Sequence, residues 1–167
     1  FFARGDYLIT LPVIAAGGIG SGRQMYAALS LGAQGVWCGS IWLTVAEAAS
    51  GDVERELLLA AGSSDTVRSK SFTGKYVRML RNAWTEAWDS GNNPQSLDAP
   101  MQMMAVGNAL ARMRKYPEKA KDLLFVPVGQ IVGRMNQTIG ARDQLMEIVE
   151  EYLEVHERMC ALMPDAG

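Results

Sequence analysis

The stretch PVIAAGGIGSGRQMYAALSLGAQGVWCGS (residues 12–40) decides the fold. It begins with an apolar run, Leu11–Gly17, that carries no charge and ends in glycine. Runs of this kind are typical of strands buried on both faces, as in a parallel sheet. A helical pattern follows, and then a second short apolar run, AQGVWCGS (residues 33–40). The order strand, helix, strand predicts a βαβ unit whose two strands are parallel.

The helix between these strands carries signals at both ends. Ser21 is a favourable N-cap residue, and Gln24 stands three positions later, which is the spacing of a capping box. Met25 and Leu29 then fall at helical spacing. Gly32 is placed to end the helix in the left-handed conformation. Local sequence therefore predicts where this helix begins and ends.

After residue 40 the sequence predicts mainly helices, although periodicity leaves VPVGQIVGRMN (residues 126–136) open. The expected elements are an apolar helix over Ile41–Ala49, a helix capped by Asp52 and ended by Gly62, an extended segment over Thr66–Leu80 with a turn at Gly74, a helix ending at Gly91, a loop over residues 92–100, a helix opened by Pro100, further helical turns in residues 117–125, and a last helix over Ala141–Met163 ended by Pro164. The last helix should bury one apolar stripe: Leu145, Ile148, Val149, Tyr152, Leu153, His156, Met159 and Cys160.

Composition narrows the class of protein. The chain has 167 residues, of which 49% are hydrophobic and 20% charged, and its net charge is −2, so it is expected to be globular and not disordered. Neither a nucleic-acid footprint, a membrane segment nor a signal-peptide layout is expected. Cys38 and Cys160 are expected to be two buried thiols, not a disulfide, and the protein to be cytoplasmic. No cluster has metal-ligand spacing, so no metal site is expected.

Two phosphate-binding motifs fit the glycine loop AGGIGSG (residues 16–22) poorly. A P-loop requires lysine and then serine or threonine after its second glycine, but Arg23 and Gln24 stand there. The dinucleotide fingerprint requires glycine or alanine at its third position, which Arg23 fills. Neither motif therefore explains the loop.

A third arrangement uses both strand ends. In (β/α)₈ barrels the loops after strands 7 and 8, together with a helix N-terminus, often bind phosphate. Here Ala16, Gly17 and Gly18 follow the first strand, and Gly39 and Ser40 follow the second. Glycines let backbone N–H groups approach an anion closely. These loops are predicted to hold a phosphate monoester, and the alternative is two tight turns without a ligand.

Residues 12–48 resemble the C-terminal barrel segment of nitronate monooxygenases, formerly called 2-nitropropane dioxygenases. GSIWL (residues 39–43) is similar to the Gly-Thr plus aromatic segment of that family, with Ser40 where threonine is commoner. VGQIVGRM (residues 128–135) is similar to a Gly-Gln segment in the helical lid of the same superfamily. Residues 51–116 match only loosely.

The resemblance implies an α/β fold: the last two parallel strands of a (β/α)₈ TIM barrel, followed by a largely helical lid. Residues 1–50 would be the barrel segment, of the strand 7 and 8 type, and residues 51–167 the helical region. The cofactor would be FMN, a flavoprotein cofactor, with its phosphate on Ala16, Gly17, Gly18, Gly39 and Ser40. Gln130 would be a lid residue near substrate. The implied reaction oxidises an alkyl nitronate with O₂ to a carbonyl compound and nitrite.

The same resemblance places the catalytic histidine of the family upstream of this chain. A barrel has eight strands, so the other six would precede Phe1. His156, the one histidine, is expected to be a packed or surface helix residue, and the catalytic residues are unknown. The chain would then be a fragment or half of a split protein. Its partners would be the missing N-terminal barrel half or further copies of itself, and alone it would expose strand edges.

Two other functions stay open. An FMN-dependent enoyl-acyl-carrier-protein reductase of the same superfamily would share the glycine loops but would require a nicotinamide electron donor. A flavin- or phosphate-binding module without chemistry of its own would share the loops alone.

Overall fold

The computed structural model describes residues 11–91 and 94–162. In chain order the helices and strands are β1 (Ile14–Ala16), α1 (Gly22–Ser30), β2 (Gly35–Trp37), α2 (Asp52–Ala60), β3 (Thr66–Ser69), β4 (Val77–Leu80), α3 (Ala83–Asp89), α4 (Met101–Lys115) and α5 (Ala141–Ala161). Short 3₁₀ segments lie at Ser40–Thr44, Ser63–Asp65, Pro117–Leu123 and Gln130–Arg134, and the third of these is kinked at Ala120.

The chain divides into two compact units. Among the described residues, 11–48 and 138–162 form one, which we call the sheet unit, and 49–91 with 94–137 form the other, the hairpin unit. The chain passes from the sheet unit to the hairpin unit after Ala48 and returns at Thr138. Helix α5 therefore belongs to the sheet unit, where it packs on α1.

The sheet unit contains the predicted βαβ unit. β1 and β2 pair in parallel, with Ile14 beside Gly35 and Ala16 beside Trp37. Helix α1 connects them and ends, as predicted, at a left-handed glycine, Gly32, whose φ is 100°. The prediction of an α/β fold with parallel strands is confirmed.

The predicted burial of both strands is wrong for the described residues. Ile14 is 56% exposed and Trp37 is 70% exposed. Within residues 11–91 and 94–162 this sheet has two strands only, so much of its surface has no neighbouring strand or helix to cover it. Apolar composition indicates what a strand requires, but it does not supply the element that covers the strand.

Helices α1 and α5 make the main helix contact of the sheet unit. A Cβ added at Gly22 would collide with the α5 backbone at Ile148 and Tyr152, so only glycine permits this crossing. Further along, the rings of Tyr26 and Tyr152 lie 5.5 Å apart. Ile148 and Val155 are buried on the same face of α5.

The apolar stripe predicted on α5 is only partly correct. Ile148 is buried, but Leu145 and Leu153 are 51% and 50% exposed, and His156 and Cys160 are also exposed. The face that meets α1 is set by the close approach at Gly22, which periodicity alone does not reveal. The predicted end at Pro164 lies outside the described residues.

The hairpin unit is built on an antiparallel pair. β3 and β4 pair in register with Thr66 opposite Leu80. The turn between them contains Gly74 at φ 77°, as predicted. The stretch left open by periodicity extends this pair: the Leu80 N–H donates to Val126 O at 3.0 Å, and the Val128 N–H donates to Arg78 O at 3.1 Å. The core of this unit contains Leu58, Phe72, Met79 and Val132, each at most 1% exposed.

Two of the predicted helices differ in detail. The apolar run Ile41–Ala49 forms a 3₁₀ turn over Ser40–Thr44 instead of an α-helix. Asp52 is the first residue of α2, and Gly51 is its N-cap. Pro100 precedes α4 as predicted.

Candidate functional site

The glycine loops leave the sheet at one edge. β1 ends at Ala16 and β2 ends at Trp37, and these two residues are direct neighbours in the parallel ladder. The chain therefore enters the loop at Gly17 and the loop at Cys38 side by side. The structure brings the two predicted loops together, as the βαβ topology requires.

The backbone of both loops is sterically open. Gly17 and Gly18 have φ angles of 96° and 72°, which lie in the left-handed region that favours glycine. An added Cβ at Gly17, Gly18 or Gly39 would meet no atom within 4 Å. Ser40 follows Gly39 directly and opens the 3₁₀ turn, with its side chain half-buried. No described protein atom therefore fills the space beside these three glycines.

Ser21 is the N-cap of α1 as predicted, but the predicted capping box is not completed, because the Gln24 side chain binds the Gly20 N–H and not the Ser21 N–H. The Gln24 N–H donates to Ser21 Oγ at 3.3 Å, and Ser21 is 2% exposed. The Gln24 side chain reaches back and accepts from the Gly20 N–H at 3.0 Å. Its amide nitrogen also donates to Gly18 O at 2.7 Å. The cap of the helix and the shape of the first glycine loop are therefore coupled through one side chain.

A carboxylate from α5 occupies the end of α1. Glu151 Oε2 accepts from the Gly22 N–H at 2.7 Å, and Glu151 Oε1 lies 3.0 Å from Nε of Arg23. A negative charge at a helix N-terminus offsets the positive end of the helix dipole. The positive helix end expected to attract phosphate is thus already balanced, and the loop amides must carry more of any anion binding.

The residues at this edge fit a mononucleotide phosphate. Open glycine backbone at two adjacent loops is the arrangement that lets several N–H groups converge on one anion. The serine hydroxyl of Ser40 is a suitable further donor. Ala16, Gly17, Gly18, Gly39 and Ser40 could together hold such a group.

Gln130 lies in the hairpin unit, apart in sequence from the loops. It begins the 3₁₀ turn Gln130–Arg134, its side chain is exposed, and its backbone oxygen accepts from Ser63 Oγ at 2.7 Å. Gly133 packs so closely on Ser63 that an added Cβ would clash there. The turn is therefore firmly held, and the placement of Gln130 near substrate stays a prediction.

The expectation of two buried cysteines is wrong. Both thiols are free, Cys38 is half-buried and Cys160 is exposed. Partial burial raises the pKa of the Cys38 thiol, because desolvation disfavours the thiolate. Cys160 lies on α5 with its sulfur 3.7 Å from Nε2 of His156.

Trp84 and Trp88 share a face of α3, as their spacing predicts. Their rings lie 5.9 Å apart, and Trp84 also stacks on Phe72 at 5.2 Å. Both tryptophans line a cavity of about 420 Å³ in the hairpin unit, together with Ala83, Ala87, Pro94 and Leu123. They serve at once as packing residues and as cavity wall.

Two negative findings concern the described residues. In residues 11–91 and 94–162, no group of three or more histidine, cysteine or acidic side chains is arranged to hold a metal ion. No helix in that part of the chain is long and apolar enough to cross a membrane.

Sequence reasoning missed two residues at this site. The sequence indicates Gln24 as a capping residue, but it does not indicate the hydrogen bond from Gln24 to Gly18 O, because the loop conformation that brings this oxygen within reach is a tertiary feature. Glu151 was missed because its partner Gly22 is 129 positions away. An acidic residue missing from the first turn of α1 is the one signal that could have suggested a carboxylate from elsewhere.

The fold and the site define an α/β protein with two open glycine loops at one sheet edge, and comparison with known proteins gives its family. The family model for nitronate monooxygenase matches residues 6–151. A protein of Mycobacterium tuberculosis named as a monooxygenase is 46% identical over 153 residues, which is 89% of this chain and 41% of that protein. A nitronate monooxygenase-named protein of Bacillus subtilis is 31% identical over 150 residues, or 88% and 42% of the two chains.

This chain belongs to the nitronate monooxygenase family. It spans only about two fifths of the curated relatives it matches, 41% and 42% of their lengths. Among solved structures, FabK from Thermotoga maritima matches with a TM-score of 0.76 at 27% identity, covering 93% of this chain and 48% of FabK. The nitroalkane oxidase of Streptomyces ansochromogenes matches with a TM-score of 0.77 at 22% identity, covering 90% and 42%, which shows a shared fold.

Proposed function

We propose that this chain carries the phosphate-binding part of an FMN-dependent oxidoreductase of the nitronate monooxygenase type. β1 and β2 would be the last two strands of a (β/α)₈ barrel, in which phosphate is often bound after strands 7 and 8. The observation that carries the proposal is the pair of open glycine loops at neighbouring strand ends, with Ala16 beside Trp37. Membership of the family supports the same assignment.

Five residues would hold the cofactor through its phosphate. Ala16, Gly17 and Gly18 would present backbone amides from the first loop, and Gly39 and Ser40 would do so from the second. Bound FMN would supply the redox chemistry by which an alkyl nitronate is oxidised with O₂ to a carbonyl compound and nitrite. The role of this chain is to bind and orient.

The proposal extends to the substrate, to the catalytic residues and to the partners of this chain. Gln130 would be a lid residue near substrate. We assign no catalytic residue among the described residues, because His156 is an exposed side chain of α5 beside Cys160. Further barrel strands or a second copy of the chain would complete the fold, and we place the protein in the cytoplasm.

Oxygen consumption tests the proposed reaction. The complete protein that contains this chain is loaded with FMN and mixed with an alkyl nitronate in air-saturated buffer. We expect oxygen uptake with nitrite released, and neither should occur with the FMN-free protein. An FMN-loaded protein that consumes no oxygen with short or longer nitronates would contradict the reaction and favour a binding module without chemistry.

An enoyl reductase is the second candidate. The fold also matches the enoyl reductase domain of MlnA from Bacillus amyloliquefaciens, with a TM-score of 0.62 at 16% identity. The TM-score and the identity of the FabK match are both higher, at 0.76 and 27%. Anaerobic addition of NADH or NADPH separates the two functions. Rapid bleaching of the flavin absorbance would favour the reductase, whereas slow or absent bleaching, with rapid bleaching by a nitronate, would favour the monooxygenase.

A further inference from the structure

The side chain of Gln24 bridges two backbone groups of the first glycine loop, the carbonyl of Gly18 and the N–H of Gly20. Its Nε2 donates to Gly18 O at 2.7 Å, and its Oε1 accepts from the Gly20 N–H at 3.0 Å. The hydroxyl of Ser21 also donates to Oε1, at 3.2 Å. A primary amide is an uncharged group that can donate at its nitrogen and accept at its oxygen, so it can bind a carbonyl and an N–H at once.

The first glycine loop begins with two glycines, which have no side chain to anchor them, whereas Gly20 and Ser21 at its other end are buried. Gly17 and Gly18 both adopt positive φ, and a Cβ at either would meet nothing within 4 Å. Glycines without packing neighbours have the largest conformational freedom of any residue, so an open glycine loop loses much entropy when it binds a ligand. A side chain that already restrains the loop removes part of that cost before binding.

The clamp also orients a peptide group. The carbonyl of Gly18 is directed at Gln24, and in a trans peptide the following N–H, that of Ile19, points the opposite way. The Ile19 amide is therefore directed away from the Gln24 side chain. Loss of the clamp would free this peptide plane to rotate and would change where the loop presents its donors.

We propose that Gln24 is a positioning residue for the phosphate group of FMN, acting through the glycine loop without touching the phosphate. The inference rests on the proposed function, because it assumes that the loop binds the phosphate of a flavin mononucleotide. It assigns to this side chain a role beyond capping α1.

The chain offers a matched control in Gln34. Its Oε1 accepts from the Val13 N–H at 2.6 Å, and its Nε2 donates to Gly32 O at 2.9 Å. Val13 and Gly32 precede β1 and β2. The Gln34 amide therefore makes the same two kinds of hydrogen bond where the strands begin, opposite the end at which the glycine loops lie. Both glutamine side chains are exposed.

The test compares Gln24→Leu with Gln34→Leu in the complete protein. Affinities for FMN and for riboflavin, which lacks the phosphate, are measured by quenching of flavin fluorescence, after circular dichroism has verified folding. For Gln24→Leu we expect the Kd for FMN to rise about tenfold. The Kd of Gln24→Leu for riboflavin should change less than about twofold. In Gln34→Leu, the Kd for FMN and the Kd for riboflavin should both change less than about twofold.

A second variant tests the sign of the effect. Gln24→Glu keeps an acceptor for the Gly20 N–H but loses the donor to Gly18 O and adds a negative charge near the proposed phosphate. We expect it to weaken FMN binding at least as much as Gln24→Leu does, again with little change for riboflavin. Tighter or unchanged FMN binding by Gln24→Glu would overturn the inference.

The outcomes separate the inference from the function on which it rests. Wild-type protein that binds riboflavin as tightly as FMN would refute the phosphate site itself, and the role of Gln24 with it. Wild-type protein that prefers FMN, with the preference kept in Gln24→Leu, would refute the role of Gln24 alone. An equal loss for both flavins in Gln24→Leu would also refute it, because the effect would then be one of general stability.

Discussion

Gly22 determines how closely α1 and α5 can approach. The first residue of α1 lies against the backbone of α5, where a side chain would overlap with Ile148 and Tyr152. The same approach lets Glu151 reach the Gly22 N–H. One hydrogen atom in place of a methyl group thus permits both the packing and the capping of the helix.

Gly22→Ala should therefore destabilise the sheet unit. The clash is with backbone, so α5 must move away, and we expect a loss of about 3 kcal/mol, the upper end of the range for overpacking. Gly107→Ala is the control, since Gly107 lies within α4 with no atom within 4 Å of an added Cβ. That change should stabilise by up to about 1 kcal/mol through helix propensity. Urea denaturation measures both, and a neutral Gly22→Ala would contradict the described crossing.

Cys38 gives a prediction about pH. Burial raises the pKa of its thiol, so its alkylation should reach half-maximal rate at a higher pH than that of an unburied cysteine. Mass spectrometry with isotope-coded iodoacetamide, read peptide by peptide, measures the profile. In the unfolded chain the thiol ionises at lower pH, so its contribution to stability is intact below the ordinary thiol pKa and is lost as pH rises towards the folded value. A Cys38 profile at or below that of a free thiol would contradict the burial.

At the scale of elements, a buried polar cluster within the hairpin unit connects α4 to the segment that follows β3. The Gln102 side chain is 0% exposed, donates to Ser71 O at 2.6 Å and accepts from the Leu97 N–H at 3.0 Å. Ser71 in turn donates its N–H to Ser69 Oγ at 3.1 Å. The amide of Gln102 satisfies backbone groups on two segments that have no regular ladder between them.

Gln102→Leu should be destabilising. It keeps most of the side-chain volume but leaves the buried carbonyl of Ser71 without a partner, at about 1–3 kcal/mol, whereas Leu97 is 49% exposed and its N–H can bind water. Gln137→Leu is the control, because Gln137 is exposed in the same unit. Thermal unfolding followed by circular dichroism compares them. Equal melting temperatures for the two variants would show that the Gln102 bonds contribute nothing net.

Sequence could predict the elements whose determinants are local. The N-cap at Ser21, the left-handed end at Gly32 and the turn at Gly74 depend on residues within a few positions, and all three are present. The parallel order of β1 and β2 follows from the length of the connecting helix. The position of the two candidate loops side by side can be predicted for the same reason.

The remaining features depend on partners far apart in sequence. The burial of Ile148, but not of Leu153, on α5 depends on which face meets α1. The carboxylate of Glu151 at the start of α1 spans 129 positions and has no local signal. The stretch at Val126 was ambiguous because its strand pairing is formed with Leu80, on another segment. Periodicity contains none of this information.

At the scale of the whole molecule, the sheet unit exposes apolar side chains that a parallel sheet normally covers. Leu11, Ile14 and Trp37 are 75%, 56% and 70% exposed. The chain also spans only 41% and 42% of its curated relatives. That the isolated 167-residue chain requires additional strands or further copies to stay in solution remains a prediction.

The central claim is that the amides of two neighbouring glycine loops bind the phosphate of FMN. A crystal structure of the complete protein with FMN bound tests it most directly. We predict phosphate oxygens within hydrogen-bond distance, about 2.7–3.2 Å, of backbone nitrogens in both loops, at Gly17 or Gly18 and at Gly39 or Ser40. A phosphate bound elsewhere, or loops that turn away from a well-ordered flavin, would contradict the account.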